Sequence, residues 1–196
     1  MKKHNSPQKC IYVVFSRPNS IVSETIGLFT RGEFTHCSIT LDRDLRYMFS
    51  FGRKYAYFPF IGCYLREELN NKFYSLSDSL YGRIVEIPVS DEQYENVKRR
   101  LVDFWRNKKN HKYNIAGFFF YLFRKDYAPD GQYTCSQFVA ETLDIYGICS
   151  INTAYTLVNP DELARIVDGN ILFEGDIKKY ANVRKRKCFL MRRRRS

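Results

Sequence analysis

The chain has 196 residues, with 32 Lys+Arg against 21 Asp+Glu and a formal net charge of +11. This length suits one domain with its own core. Hydrophobic residues at 44%, with 15 Tyr and 16 Phe, exclude a disordered or collagen-like chain. The charge is unevenly placed. Residues 183–196 hold eight basic side chains and no acidic one, which leaves +3 for the remainder. We therefore read a single domain, 1–182, followed by a basic C-terminal tail, 183–196.

Lysines near the N-terminus imitate the start of a signal peptide. The apolar run Cys10 to Phe15 is too short for its hydrophobic core, and no small-residue cleavage site follows. No stretch approaches the roughly 20 apolar residues needed to span a bilayer, so the chain reads as soluble and cytoplasmic. Cys10 to Phe15 (CIYVVF) is β-rich and predicts the first strand. Residues 20–29 carry Ile21, Ile26, Leu28 and Phe29 at spacings that predict a helix ending before Gly32. Residues 33–41 alternate, with Phe34, His36, Ser38 and Thr40 on one face and Thr35, Cys37, Ile39 and Leu41 on the other. After the polar turn Asp42 to Asp44, Leu45 to Gly52 predicts the returning strand of a hairpin. Arg83 to Val89 is a further strand, whose Pro88 points to an edge or an end.

Ser90 opens the best-marked helix. With Gln93 it fits a capping box, Asp91 and Glu92 sit at the positive end of the dipole, and Tyr94, Val97, Leu101, Phe104 and Trp105 form one apolar stripe. Further helices are predicted over Asn114 to Phe123 and over Cys135 to Tyr146, the latter stopped by Gly147. Asn159-Pro160-Asp161-Glu162 is a helix start. Leu172-Phe173 and Lys187 to Met191 are candidate late strands. Strands and helices that segregate argue α+β with an antiparallel sheet.

The cysteines (10, 37, 63, 135, 149 and 188) are scattered, without a C-x-x-C pair. Without a secretory signal a disulfide framework is not expected. A zinc site from Cys10, Cys37, Cys63 and His36 lacks the closely spaced ligand pairs of structural zinc. No metal and no cofactor are predicted.

Two segments carry chemistry. In Gly131 to Ala140 (GQYTCSQFVA), Cys135 sits where a polar loop enters an amphipathic helix. Unpaired amides and the helix dipole favour a thiolate there, and the same amides can donate to an oxyanion. In Phe34 to Ile39 (FTHCSI), His36 lies on a strand among small polar neighbours. Brought together, the two make the minimum for acyl transfer through a thioester. Read from spacing alone, a buried cysteine and a satisfied core histidine are the commoner outcome for such residues.

The order His first and Cys about a hundred residues later resembles the circularly permuted NlpC-type papain-like families. These include the YiiX/YaeF-like amidases and the lecithin:retinol acyltransferase relatives. The resemblance covers roughly residues 10–170 and rests on F-T-H-C-S-I near His36 and Y-T-C-S-Q-F-V near Cys135. It implies a permuted papain-like α+β fold, a small antiparallel sheet packed against helices, with the cysteine at a helix N-terminus. Cys135 is then the nucleophile and His36 the general base. The third residue departs from the pattern of the relatives, which use His, Glu, Asn or Gln on the next strand. Here Ser50 is the candidate on Arg46 to Arg53, with a backbone carbonyl as the alternative.

Tyr133, Gln132 and Ser136 are candidates to line the cleft or hold the oxyanion. Tyr133 reads equally as a core aromatic and Gln132 as loop. Arg53, Glu67 and Glu68 contact a charged substrate or form solvated surface. Cys37 follows the histidine, points to the opposite strand face, and is set aside as nucleophile. Cys149, just past Gly147, is read as structural. The tail residues 184–195 suit an anionic membrane surface or nucleic acid, or they provide solubility alone.

The sequence thus predicts a thiol hydrolase, an amidase or peptidase acting on a small-molecule or peptide-like substrate. The alternatives are a lipid-directed thiol acyltransferase or esterase, and a non-catalytic binding module on the same fold.

Overall fold

An apolar run without alternation belongs where both strand faces are covered, and Cys10 to Phe15 takes that place. In the computed structural model, which describes residues 8–18, 32–55, 58–69, 74 and 78–184, it forms the body of β1 (Lys9–Ser16). The strands that follow are β2 (His36–Thr40), β3 (Met48–Tyr55), β4 (Phe58–Glu67), β5 (Tyr81–Val89), β6 (Lys112–Tyr113), β7 (Gln132–Tyr133) and β8 (Asn170–Asp176). The helices are α1 (Asp91–Arg106), α2 (Ile115–Leu122), α3 (Cys135–Ile145), α4 (Pro160–Ile166) and α5, residues 177–184. One eight-stranded sheet runs in the order β7-β6-β4-β3-β2-β1-β5-β8. Every pairing is antiparallel except β6 with β7. The chain is α+β.

The two faces of β1 feed two cores. Ile11, Val13 and Phe15 join Val97, Leu101 and Phe104 of α1 and Phe138, Val139 and Leu143 of α3. Tyr12 and Val14 join Met48, Leu69, Tyr74 and, from α5, Ile177 and Ala181 on the opposite face. The sheet is therefore a layer between helices, with α3 on the larger core.

The helix signals read from sequence match the observed ends. Ser90 and Gln93 close a reciprocal capping box on α1. Asn114 caps α2 by accepting from the Gly117 amide at 2.7 Å, and Asn159 with Glu162 caps α4. Gly147, at φ 61°, ends α3 in a Schellman arrangement: its amide bonds the Asp144 carbonyl and the Ile148 amide bonds Leu143. Pro88 corrects the expectation of an edge strand in part, because β5 lies inside the sheet between β1 and β8. β8 pairs only as far as Glu86, so Pro88 stands beyond the last partner on that side. The predicted hairpin forms as β2 and β3, the latter starting at Met48 rather than Leu45. Leu172-Phe173 lies in β8.

The boundary between domain and tail moves. Val183 and Arg184 are still helical, and Arg184 Nε pairs with Asp44 Oδ1 at 2.7 Å, so these two residues belong to the folded unit. The predicted helix over 20–29 and the strand over 187–191 lie outside the described residues. Among the described residues, no helix is long and apolar enough to cross a membrane, and no cluster of His, Cys, Asp or Glu assembles a metal site, including the cysteine set weighed for zinc.

Candidate active site

Thr134 fixes where α3 begins. Its hydroxyl accepts from the Gln137 amide at 3.2 Å, and its own amide donates to Gln137 Oε1 at 3.3 Å. This capping box places Cys135 at the first helical position. The amides of Cys135 and Ser136 precede the capped one, at the positive end of the helix dipole. Helix and sheet then carry the thiol to the start of β2, where His36 and Cys37 are the groups that act on it electrostatically.

The other ring nitrogen of His36 is held from β4. Nε2 lies 2.9 Å from Glu67 Oε1, so Nδ1 is the nitrogen left for Cys135. The β3–β4 register, with Met48 opposite Glu67 and Ser50 opposite Leu65, delivers the carboxylate to this spot. Glu67 is buried, and burial of a carboxylate is costly unless its lone pairs are filled. Two hydroxyls fill them alongside the imidazole: Ser50 Oγ donates to Oε1 at 2.7 Å and Tyr74 Oη donates to Oε2 at 3.0 Å. A Cβ at Gly52 would press on Leu65 Cδ1 at 3.2 Å and stand in ordinary contact with His36 Cε1 at 3.9 Å.

The electrostatics follow. Burial alone would lower the His36 pKa, but the Glu67 carboxylate and the thiol more than reverse this and push it up to about 10. Burial raises Glu67, and His36, Ser50 and Tyr74 return it below the ordinary carboxylate value. Cys135 is held well below an ordinary thiol, first by the hydrogen bond from the Cys37 thiol, then, against burial, by His36 and the Cys37 amide. Cys37 moves the opposite way, raised by burial and by the neighbouring thiolate. The downward shift of Cys135 and the upward shift of His36 both favour a thiolate–imidazolium pair, backed by the Glu67 carboxylate.

Cys37 was set aside because it faces away from His36 along the strand. It does face away, into the helix-side core, and that is where Cys135 sits. The Cys37 thiol therefore acts on Cys135, lowering its pKa, rather than standing apart from it. Cys37→Ala removes the first cause of the lowered Cys135 pKa. The expected result is an alkylation profile of Cys135 displaced toward higher pH, with Cys37→Ser, which keeps a donor, displaced less. Equal profiles for the parent and both variants would remove Cys37 from the site.

Beside Cys135 lies a cavity of about 50 Å³, whose lining includes Thr35, Tyr113, Gly117, Tyr121, Thr156 and Asn159. Its walls are tied together. Asn159 Nδ2 donates to Tyr121 Oη at 2.6 Å; Thr156 Oγ1 donates to Oδ1 of Asp126, outside the lining, at 2.5 Å, and the amide of Phe34, next to Thr35, donates to Oδ1 of Asp161, next to Pro160, at 2.8 Å.

Of the residues singled out from sequence, Cys135 and His36 are brought together and Ser136 lines the cavity beside Cys135. Ser50 is at the site but does not meet the imidazole: its hydroxyl goes to Glu67, which occupies the place assigned to it. Glu67, read as substrate contact or solvated surface, is instead the buried partner of His36. Tyr133 corrects toward the core. Its ring packs 5.0 Å from Phe51 and 5.5 Å from Phe104, and Arg100 is its hydrogen-bonding neighbour. Gln132 pairs with Lys112 in the short β6–β7 ladder and is not among the cavity walls. Tyr74 was not singled out, and nothing in its local sequence marks it. Compared with protein-family models, curated proteins and solved structures, the chain finds no match.

Proposed function

We propose that this protein is a thiol hydrolase of permuted papain-like fold that cleaves an amide bond through an acyl-enzyme on Cys135. The observation that carries the reading is the chain Cys135–His36–Glu67: a thiol at a helix start, an imidazole, and a buried carboxylate on the far ring nitrogen. In this reading the thiolate attacks the carbonyl carbon, and the oxyanion faces the amides of Cys135 and Ser136. The imidazolium of His36 gives its proton to the departing amine as the C–N bond breaks. Water then attacks the thioester, losing its proton to His36, and the acid leaves as the thiolate re-forms. Glu67 stabilises the imidazolium and holds the ring, acting through His36 as a positioning residue. The esterase and acyltransferase readings share the acyl-enzyme and differ in the leaving group or the acceptor.

The test is alkylation by a small electrophile, with the modified residue located by peptide mass spectrometry. Cys135 is expected to react near neutral pH faster than glutathione, and His36→Ala is expected to remove that advantage. A Cys135 that reacts no faster than glutathione would favour the non-catalytic module and sink the hydrolase reading.

A further inference from the structure

Helix α2 has two sides of opposite use. Gly117 and Tyr121, four residues apart, face the cavity beside Cys135. The other side presents apolar groups to solvent: Phe119 is 57% exposed, with Phe120 and Leu122 also exposed. Phe123, just past the helix end, is 75% exposed. Tyr127 extends the patch, its ring stacked on Phe120 with centroids 4.4 Å apart. Exposed aromatics of this number on one short helix and its following turn are costly in water and mark an interaction surface.

The flanks say what kind of surface. Lys108, Lys109 and Lys112 precede the helix and Arg124 and Lys125 follow it, all exposed, against the single acid Asp126 in residues 108–127. Asp126 is engaged by Thr156. An apolar strip between cations fits the boundary of an anionic bilayer, where rings enter the interface and the cations meet headgroup phosphates. We infer that α2 and the turn after it dock this protein peripherally on an anionic membrane surface, with the cavity of Cys135 directly behind the docked face. This contact is separate from the basic residues after 184. It requires no chemistry at the thiol.

The experiment is co-sedimentation of the full chain with phosphatidylcholine vesicles, with and without phosphatidylglycerol. Binding is expected to need the anionic lipid and to weaken with salt. Phe119→Ser/Phe123→Ser is expected to lower partitioning by roughly tenfold or more, while alkylation of Cys135 keeps its parent rate. Cys135→Ala is expected to bind as the parent does, so a failed hydrolase reading would leave this one standing. Phe123→Trp gives a second readout, a blue shift of its emission on adding anionic vesicles. No vesicle binding, or no blue shift, overturns the inference. So does binding that survives the Phe119/Phe123 change but is lost when Arg192 to Arg195 become Gln. Self-association of the chain abolished by the same two substitutions, without vesicle binding, would assign the patch to a second copy instead.

Discussion

Glu67→Gln is expected to slow alkylation of Cys135 at pH 6 by roughly tenfold or more, by moving its pH profile upward by at least about one unit. The amide keeps the size of the carboxylate and removes its charge. Burial then acts on His36 unopposed from that side and lowers it, the imidazolium becomes a weaker partner for the thiolate, and the thiolate fraction falls. For hydrolysis of an amide the expected loss is larger, about 10²–10⁴-fold, because the imidazolium must also form and turn over during the reaction. Ser50→Ala, which leaves the charge in place and removes one donor to it, is expected to shift the profile in the same direction by less. An unchanged profile in Glu67→Gln would mean that the carboxylate does not govern the thiol.

The same variant has a stability signature with a definite sign. Breaking one side of a buried ion pair costs about 3–5 kcal/mol. Glu67 is depressed in the fold, so its contribution is present above the ordinary carboxylate range and is lost as pH falls through its folded value. His36 is raised to about 10, so its contribution is full below the ordinary imidazole value and is lost as pH rises through about 10. The gap in stability between parent and Glu67→Gln is therefore expected to be widest between about pH 5 and pH 6.5 and to close on both sides. Urea unfolding at four or five pH values checks it.

How much of this was legible in the chain depends on the range of each signal. Caps are local, and Ser90, Asn114, Thr134 and Asn159 each mark a helix start within three residues of its partner. Cys135 and His36 were legible because a helix-start cysteine and a strand histidine in that order are informative together. Glu67 was not. Its role comes from the register between β3 and β4, which sets it opposite Met48, and from Tyr74, seven residues further along the chain. In sequence it is the first of two glutamates after Arg66, a pattern that reads as surface. The available hint was the β-rich run Phe58 to Leu65, which predicts a strand returning beside Ser50 and ending in a carboxylate. Ser50 was found for the right place and the wrong contact, since a period-two pattern gives a side chain's face but not its hydrogen-bond partner. Cys37 shows the reverse error. Its face was read correctly, but the helix that would meet that face was not placed.

Phe138→Ala is expected to lower stability by about 3–5 kcal/mol, a fall in melting temperature of roughly 10 °C for a domain of this size. Phe138 is fully buried one turn beyond Cys135. Its ring centroid lies 5.0 Å from Phe104, 5.2 Å from Tyr64 and 5.4 Å from Phe51, with the Arg100 guanidinium 5.5 Å over its face. The ring joins α1, β3 and β4 to α3 at a single point, and aromatic neighbours on three elements cannot all move in to fill the space it leaves. The site feels the same change. The turn of α3 that buries Phe138 is the turn that aims Cys135 at His36, so its loss frees the thiol from its donors. Even at a temperature where the variant remains folded, the advantage of Cys135 over glutathione in alkylation is expected to shrink. Val102→Ala on the exposed side of α1 is the control, expected to change stability by less than about 0.5 kcal/mol and the alkylation rate not at all. A Phe138→Ala protein that is destabilised as expected but alkylated at the parent rate would show that Thr134, His36 and Cys37 hold the Cys135 thiol without help from the core beneath it.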